Sequence, residues 1–256
     1  MTTVGFIGSG NIGSTVARLA IEAGHQVVLS NSRGPETLAD TVAGLGPRAS
    51  AATSGEAAAA GDVVVVSVPL EAFPDLPAAQ LAGKTIIDTC NYGPERDGLI
   101  PELVSTSLTS SELLLQYIPN ATVVKAFNYY KHLLSLARPA GAADRSYLPI
   151  AGDSAPGKAA VTDFIDSIGY SVVDAGPLAD SWQQSTDTPV WGPHTGHPRT
   201  RRASTRTNTP SARHWPWQCG NRKLVQVAGV VRACHSLARL APGGAITPNT
   251  LPSRPA

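Results

Sequence analysis

Near its start the chain passes from a short apolar run, Val4-Gly5-Phe6-Ile7, into Gly8-Ser9-Gly10-Asn11-Ile12-Gly13. Beyond the glycines, Ile12, Val16, Leu19, Ala20 and Ala23 recur at helical spacing. Gly24 then stands where a helix C-terminus favours glycine. A strand, a glycine turn and an amphipathic helix in this order make the phosphate-binding start of a dinucleotide fold. Gly8 permits the tight turn, Gly10 leaves the backbone open to a pyrophosphate, and Gly13 lets the helix approach the strand. The free N–H groups and dipole of the first helical turn then attract phosphate. Glycine supplies 24 of the 256 residues, so the spacing alone would mean little. Its place between a strand pattern and a helix pattern gives it weight.

The rest of the first 174 residues repeats the alternation. Gln26–Ser30 reads as a second strand, followed by a helix that starts at Pro35, buries Leu38, Val42 and Leu45, and stops at Gly46. A third strand near residues 48–51 leads to a helix over 54–60 capped by Thr53 or Ser54. Residues 62–69 hold four consecutive valines, Val63 to Val66, before Pro69. Such a run implies burial on both faces, as in a parallel sheet covered by helices. Further strands are expected at 84–88, 122–128, 146–151 and Ser171–Asp174, with helices over 111–118 and 155–168. The fold class is therefore α/β: a doubly wound, mostly parallel Rossmann-type sheet of about eight strands.

The end of the second strand selects the cofactor. An NAD site places Asp or Glu about 20 residues after the glycines, to hold the ribose 2′-hydroxyl. Here the segment reads Asn31-Ser32-Arg33, and no acid occurs between Glu22 and Glu36. A hydroxyl and a guanidinium bind a 2′-phosphate through charge-assisted hydrogen bonds, whereas a carboxylate would repel it. Asn31, Ser32 and Arg33 thus point to NADP(H); the competing reading makes Arg33 an ordinary solvated loop cation. Ligands of open α/β sheets sit at the carboxyl ends of the strands, which brings Ser67, Val68 and Pro69 to the same edge. Cys90, just past another strand end, is read as a small buried thiol rather than a nucleophile.

Five segments together resemble a known group: 4–13, 30–33, 66–69, Ile87-Asp88-Thr89-Cys90-Asn91 and Val123-Val124-Lys125-Ala126-Phe127-Asn128. In this order and spacing they are similar to the deazaflavin (coenzyme F-420)-dependent NADP reductase-like family, a relative of the N-terminal domain of pyrroline-5-carboxylate reductases. The resemblance spans about residues 4–182. It implies direct hydride transfer between NADP(H) and a second carrier, a deazaflavin, a flavin or a small substrate, in chemistry that belongs mainly to the cofactors. It also implies that Gly8, Ser9, Gly10, Asn11 and Ile12 hold the pyrophosphate, that Ser32 and Arg33 hold the 2′-phosphate, and that Ser67, Val68, Pro69 and Ala126 line the nicotinamide. No side chain is assigned as catalytic and none as a metal ligand. Lys125 is read as a salt-bridge partner rather than a proton donor. A homodimer is compatible with the resemblance. The rival reading from another class is a non-enzymatic NADP(H)-binding sensor or scaffold with an incomplete substrate site.

Composition bears on location and on the chain's second part. The three cysteines, Cys90, Cys219 and Cys234, form no C-x-x-C pair, which argues against a disulfide framework or a zinc ribbon. The first strand begins at once, without a signal peptide pattern, and no apolar run reaches membrane-spanning length. A soluble, cytoplasmic protein with a small-molecule redox substrate and no membrane partner is expected. The net charge of +1 hides an asymmetry: residues 1–187 hold 10 Lys+Arg and 19 Asp+Glu, whereas residues 188–256 hold 10 Lys+Arg and no acid. From residue 183 onward nothing matches the family. Trp215 and Trp217 beside Arg213 and His214 suggest an aromatic-basic patch, yet no nucleic-acid motif accompanies them. The segment 183–256 is accordingly read as a basic Pro/Arg-rich tail, disordered or read out of frame, and no active residue is expected from about residue 190 onward.

Overall fold

The alternation seen in the sequence builds a single eight-stranded sheet in the computed structural model of the chain, which describes residues 1–129, 133–186 and 188. The strands are β1 (Thr3–Ile7), β2 (Gln26–Ser30), β3 (Ala49–Ala51), β4 (Val63–Val66), β5 (Thr85–Asp88), β6 (Thr122–Lys125), β7 (Tyr147–Gly152) and β8 (Ser171–Asp174). Their spatial order is β3-β2-β1-β4-β5-β6-β7-β8. Pairing is parallel from β3 through β6 and between β7 and β8, and antiparallel only where β7 meets β6. The described residues all lie in the first of two units, Met1–Thr209 and Pro210–Ala256. The tail reading for 189–256 falls outside the described residues. No helix among them is long and apolar enough to cross a membrane.

Period-two alternation divides the strand side chains between two cores. Val4, Phe6, Val63, Val65, Ile87 and Val124 join one, packed under helix α1 (Asn11–Glu22) through Val16, Ala17 and Ala20 and under the helix Ala155–Ser167 through Val161, Phe164 and Ile165. Ile7, Val64, Val66, Ile86 and Val123 join the other, against Phe73, Leu113 and Leu114. All four valines of β4 are buried, which is what their consecutive placement implied. Truncating a residue at this depth, such as Ile87→Ala, costs about 2–5 kcal/mol by the usual cavity and transfer terms.

Several boundaries differ from expectation. β4 ends at Val66 because Pro69 already caps a 3-10 turn, Leu70–Asp75. β6 ends at Lys125: Phe127 has φ of 54°, a left-handed conformation that cannot continue an extended strand. The second helix opens as a 3-10 turn, Pro35–Leu38, and becomes α2 only over Ala39–Leu45. Of its expected buried face Leu38 is enclosed, while Val42 and Leu45 are only partly covered, because α2 lies at the β2–β3 margin of the sheet. α3 (Ser54–Ala60) is capped by Thr53 in a reciprocal box with Glu56. The single turns Ala78–Leu81, Pro94–Asp97, Pro101–Val104 and Leu133–Leu136 carry too few residues to show a period. A last 3-10 turn, Leu178–Gln184, extends ordered packing two residues past the expected boundary at 182.

Candidate functional site

Register aligns the strand ends. Ser30 pairs with Ile7, Ile7 with Val66, Val66 with Asp88, and Asp88 with Lys125. The residues just beyond this row form one edge at the carboxyl ends of five parallel strands, the usual ligand position of such sheets.

At the centre of that edge the glycine turn is built by close contacts. Gly8 has φ of 101°, and a Cβ there would lie 2.1 Å from the Ser67 carbonyl oxygen. A Cβ on Gly13 would lie 2.2 Å from the Gly8 carbonyl oxygen. Neither position tolerates a side chain. Gly10 differs: a Cβ would meet nothing within 4 Å, so its backbone borders open space. The Gly8 amide donates to the Ser30 carbonyl at 3.1 Å, and Ser67 N–H donates to the Ile7 carbonyl at 2.8 Å. Ser14 Oγ donates to the Ser9 carbonyl at 2.7 Å, which fixes the turn from behind. No side chain caps α1, and no acid occupies its first turn. Its leading amides around Asn11 and Ile12 therefore keep their attraction for an anion. The open space at Gly10 and the uncapped helix suit a pyrophosphate.

Next to this turn, the β2 end folds into a small loop. Asn31 Oδ1 accepts from Arg33 N–H at 2.9 Å, and Asn31 Nδ2 donates to Thr37 Oγ1 at 2.9 Å. Thr37 Oγ1 in turn donates to the Gly34 carbonyl at 2.8 Å. The Asn31 side chain, expected at the cofactor, is thus engaged in shaping the loop. Ser32 and Arg33 are exposed, and among the described residues neither side chain has a hydrogen bond or ion pair. Both remain available to a phosphate. A Glu36 carboxylate oxygen lies 2.3 Å from where a Cβ on Gly34 would stand, so one acid does come close to the loop.

On the other side of the glycine turn, Ser67 and Val68 are half-buried and Pro69 is exposed. Cys90 is buried, with Sγ 3.6 Å from the Val66 carbonyl. Burial first, and then the carboxylate of Asp88, push its thiol well above the usual range. A thiol so held is a poor nucleophile. Below it lies a sealed ion pair: Lys125 Nζ stands 3.2 Å from Asp88 Oδ2, with side chains 2% and 0% exposed. Ser111 Oγ donates to the same oxygen at 2.6 Å, and Cys90 N–H donates to Asp88 Oδ1 at 2.8 Å. Lys125 also donates to the Cys90 carbonyl. Lys125 is a clamp on the β5–β6 edge, as its strand position suggested.

Ala126 follows the end of β6. It is fully buried among the core residues, and the chain turns just after it at Phe127. The groups next to it that the sequence reasoning did not single out are asparagines. Asn91 Nδ2 donates to the Asn128 carbonyl at 2.6 Å, and Asn128 Nδ2 donates to the Gln184 carbonyl. Arg96 Nη2 donates to the Asn91 carbonyl at 2.5 Å and pairs with Asp97 at 2.8 Å. The signal for this chain of contacts was that Asn91 and Asn128 close two of the family-like segments, each just past a strand end.

Comparison with known proteins places these features in context. Residues 3–92 match a family model described as NADP oxidoreductase, coenzyme F420-dependent. A hypothetical protein of Sinorhizobium meliloti, SMa0349, is 30% identical, with a TM-score of 0.64 over 74% of this chain and 92% of its own. A structure from Arthrobacter, described as an F420-dependent NADP reductase, is 24% identical with a TM-score of 0.59 over 71% of this chain and 87% of its own. The 3-hydroxyisobutyrate dehydrogenase of Mycobacterium tuberculosis shares the fold at 18% identity, a TM-score of 0.51, and coverage of 70% of this chain and 56% of its own. A search of proteins with curated functions gives no match.

Proposed function

We propose that the chain, whose residues 3–92 match the model of coenzyme F420-dependent NADP oxidoreductases, passes a hydride between NADP(H) and a deazaflavin or flavin. When bound, the nicotinamide supplies or accepts the hydride, two electrons with one hydrogen, and solvent balances the remaining proton. The chain's part is to bind and orient. The glycine turn, Gly8 to Ile12, accommodates the pyrophosphate, and the uncapped start of α1 favours its charge. Ser67, Val68 and Pro69 lie beside the turn, at the next strand end, where a nicotinamide ring would rest. The buried Lys125–Asp88–Ser111 cluster holds that edge rigid without offering a proton.

The observation that carries the NADP(H) reading is the β2 loop, where Ser32 and Arg33 stand exposed and unpaired in place of an acid. Titrating the protein with NADPH and NADH by nucleotide fluorescence tests it. NADPH binds at least tenfold more tightly on this reading, and equal affinities refute it. Arg33→Ala weakens NADPH by about 1–3 kcal/mol and leaves NADH nearly unchanged. The acceptor is tested by NADPH oxidation with deazaflavin, flavin and ferric compounds. NADPH binding without turnover of any acceptor supports the non-enzymatic sensor instead.

A further inference from the structure

The 3-10 turn Leu178–Gln184 buries every third residue. Leu178 is 2% exposed, Ser181 2% and Gln184 0%. In a 3-10 helix residues three apart eclipse one another, so these three form one inward stripe. Leu178 packs in the core with Leu113 and Leu114. The two residues that follow on the stripe are polar, and packing does not explain them. Ser181 Oγ, Gln184 Nε2 and Gln184 Oε1 are all buried, and none has a hydrogen-bond partner among the described residues. An unpaired buried amide or hydroxyl is destabilising, and an apolar residue would avoid that cost. Native proteins keep such groups for a reason.

Position supplies the reason. The backbone of Gln184 is tied to Asn128, and Asn128 to Asn91. Those two asparagines follow the ends of β6 and β5, on the same edge as Ser67 and the glycine turn. The Gln184 end of the stripe is therefore joined to the strand-end edge that carries the glycine turn and Ser67. A carboxamide offers one donor and one acceptor side by side, and the serine hydroxyl offers either. Their natural complement is a neutral amide or imide edge.

We propose that Ser181 and Gln184 are specificity residues that hydrogen-bond the amide or imide edge of one of the two redox rings. This inference rests on the function proposed above. Two sources carry that chemistry: the carboxamide of the nicotinamide and the pyrimidinedione of a flavin or deazaflavin.

Gln184→Leu and Ser181→Ala, made in the full-length protein, test it by equilibrium binding and thermal unfolding. Either variant keeps or raises the Tm, since each removes an unpaired buried group. If the nicotinamide is the partner, Gln184→Leu raises the Kd for NADPH at least tenfold and leaves that for 2′,5′-ADP, which lacks the nicotinamide, unchanged. If the carrier ring is the partner, the Kd for FMN or a deazaflavin rises at least tenfold while NADPH is unaffected. Ser181→Ala shifts the same ligand by a smaller factor. Unchanged Kd values for NADPH and both carriers in the two variants overturn the inference and leave the function standing. Wild-type protein that binds none of these ligands overturns both.

Discussion

Removing the charge of Lys125 separates a structural clamp from a catalytic acid. Lys125→Met keeps the stem and deletes the ammonium. Asp88, whose side chain is 0% exposed, then keeps only the Ser111 hydroxyl and the Cys90 amide as partners, and the Cys90 carbonyl loses its donor. Breaking a buried pair from one side costs about 3–5 kcal/mol, because the remaining charge stays uncompensated. Both side chains are enclosed, so solvent screening does not discount that figure. In a domain of this size 1 kcal/mol shifts the Tm by about 2–4 °C, so a fall of roughly 6–20 °C is expected. Asp88→Asn combined with Lys125→Met removes both charges and keeps an acceptor for the Cys90 amide and a partner for Ser111. The double variant should recover at least half of the single variant's loss, measured by urea unfolding at unchanged m-value. A single variant that loses less than 1 kcal/mol, or a double variant equal to the sum of the singles, refutes the clamp.

The glycine turn makes two opposed predictions. Gly8→Ala places a methyl 2.1 Å from the Ser67 carbonyl oxygen at φ of 101°, so it lowers the Tm and abolishes nucleotide binding, whereas Gly10→Ala, with nothing within 4 Å, keeps the Tm and weakens NADPH by its crowding of the phosphates alone. Fluorescence titration beside thermal unfolding separates the two effects; a Gly10→Ala protein with wild-type affinity contradicts the pyrophosphate reading. His25 governs acid sensitivity at the opposite end of α1. Its Nδ1 accepts from Thr2 N–H at 3.3 Å and its Nε2 lies 2.8 Å from Ser167 Oγ. Burial, then the amino terminus, holds its pKa below 6.5. The unfolded chain therefore binds more protons between that depressed value and about 6.5. Stability accordingly falls as pH drops through this window and levels off beneath it. His25→Gln flattens that segment of the urea midpoint-versus-pH curve; an unchanged slope assigns the sensitivity to another group.

What the sequence revealed and what it hid follow from the range of the interactions involved. β2 and β8 match their expected limits, Gln26–Ser30 and Ser171–Asp174, because apolar residues and flanking breakers define them locally. The four valines of β4 announced two-sided burial, and the structure places two in each core. Strand direction was not legible: nothing in Tyr147–Gly152 says that β7 runs against β6. The end of β6 was misjudged because the φ of Phe127 is set by packing around it rather than by its own preference. At the edge, Ser67 and the glycine turn were visible as motifs. The Asn91–Asn128–Gln184 contacts were not, since they join residues 37 and 56 positions apart and leave no local period.

The account stands or falls on direct hydride transfer. NADPH deuterated at the transferring ring carbon, incubated with the protein and an oxidised 5-deazaflavin, reports it by mass spectrometry, because the accepting ring position is carbon and does not exchange with water. The account predicts one deuterium per reduced deazaflavin and loss of label transfer in Gly8→Ala. Reduced carrier without deuterium, or no reduction by a protein that binds NADPH, would contradict it.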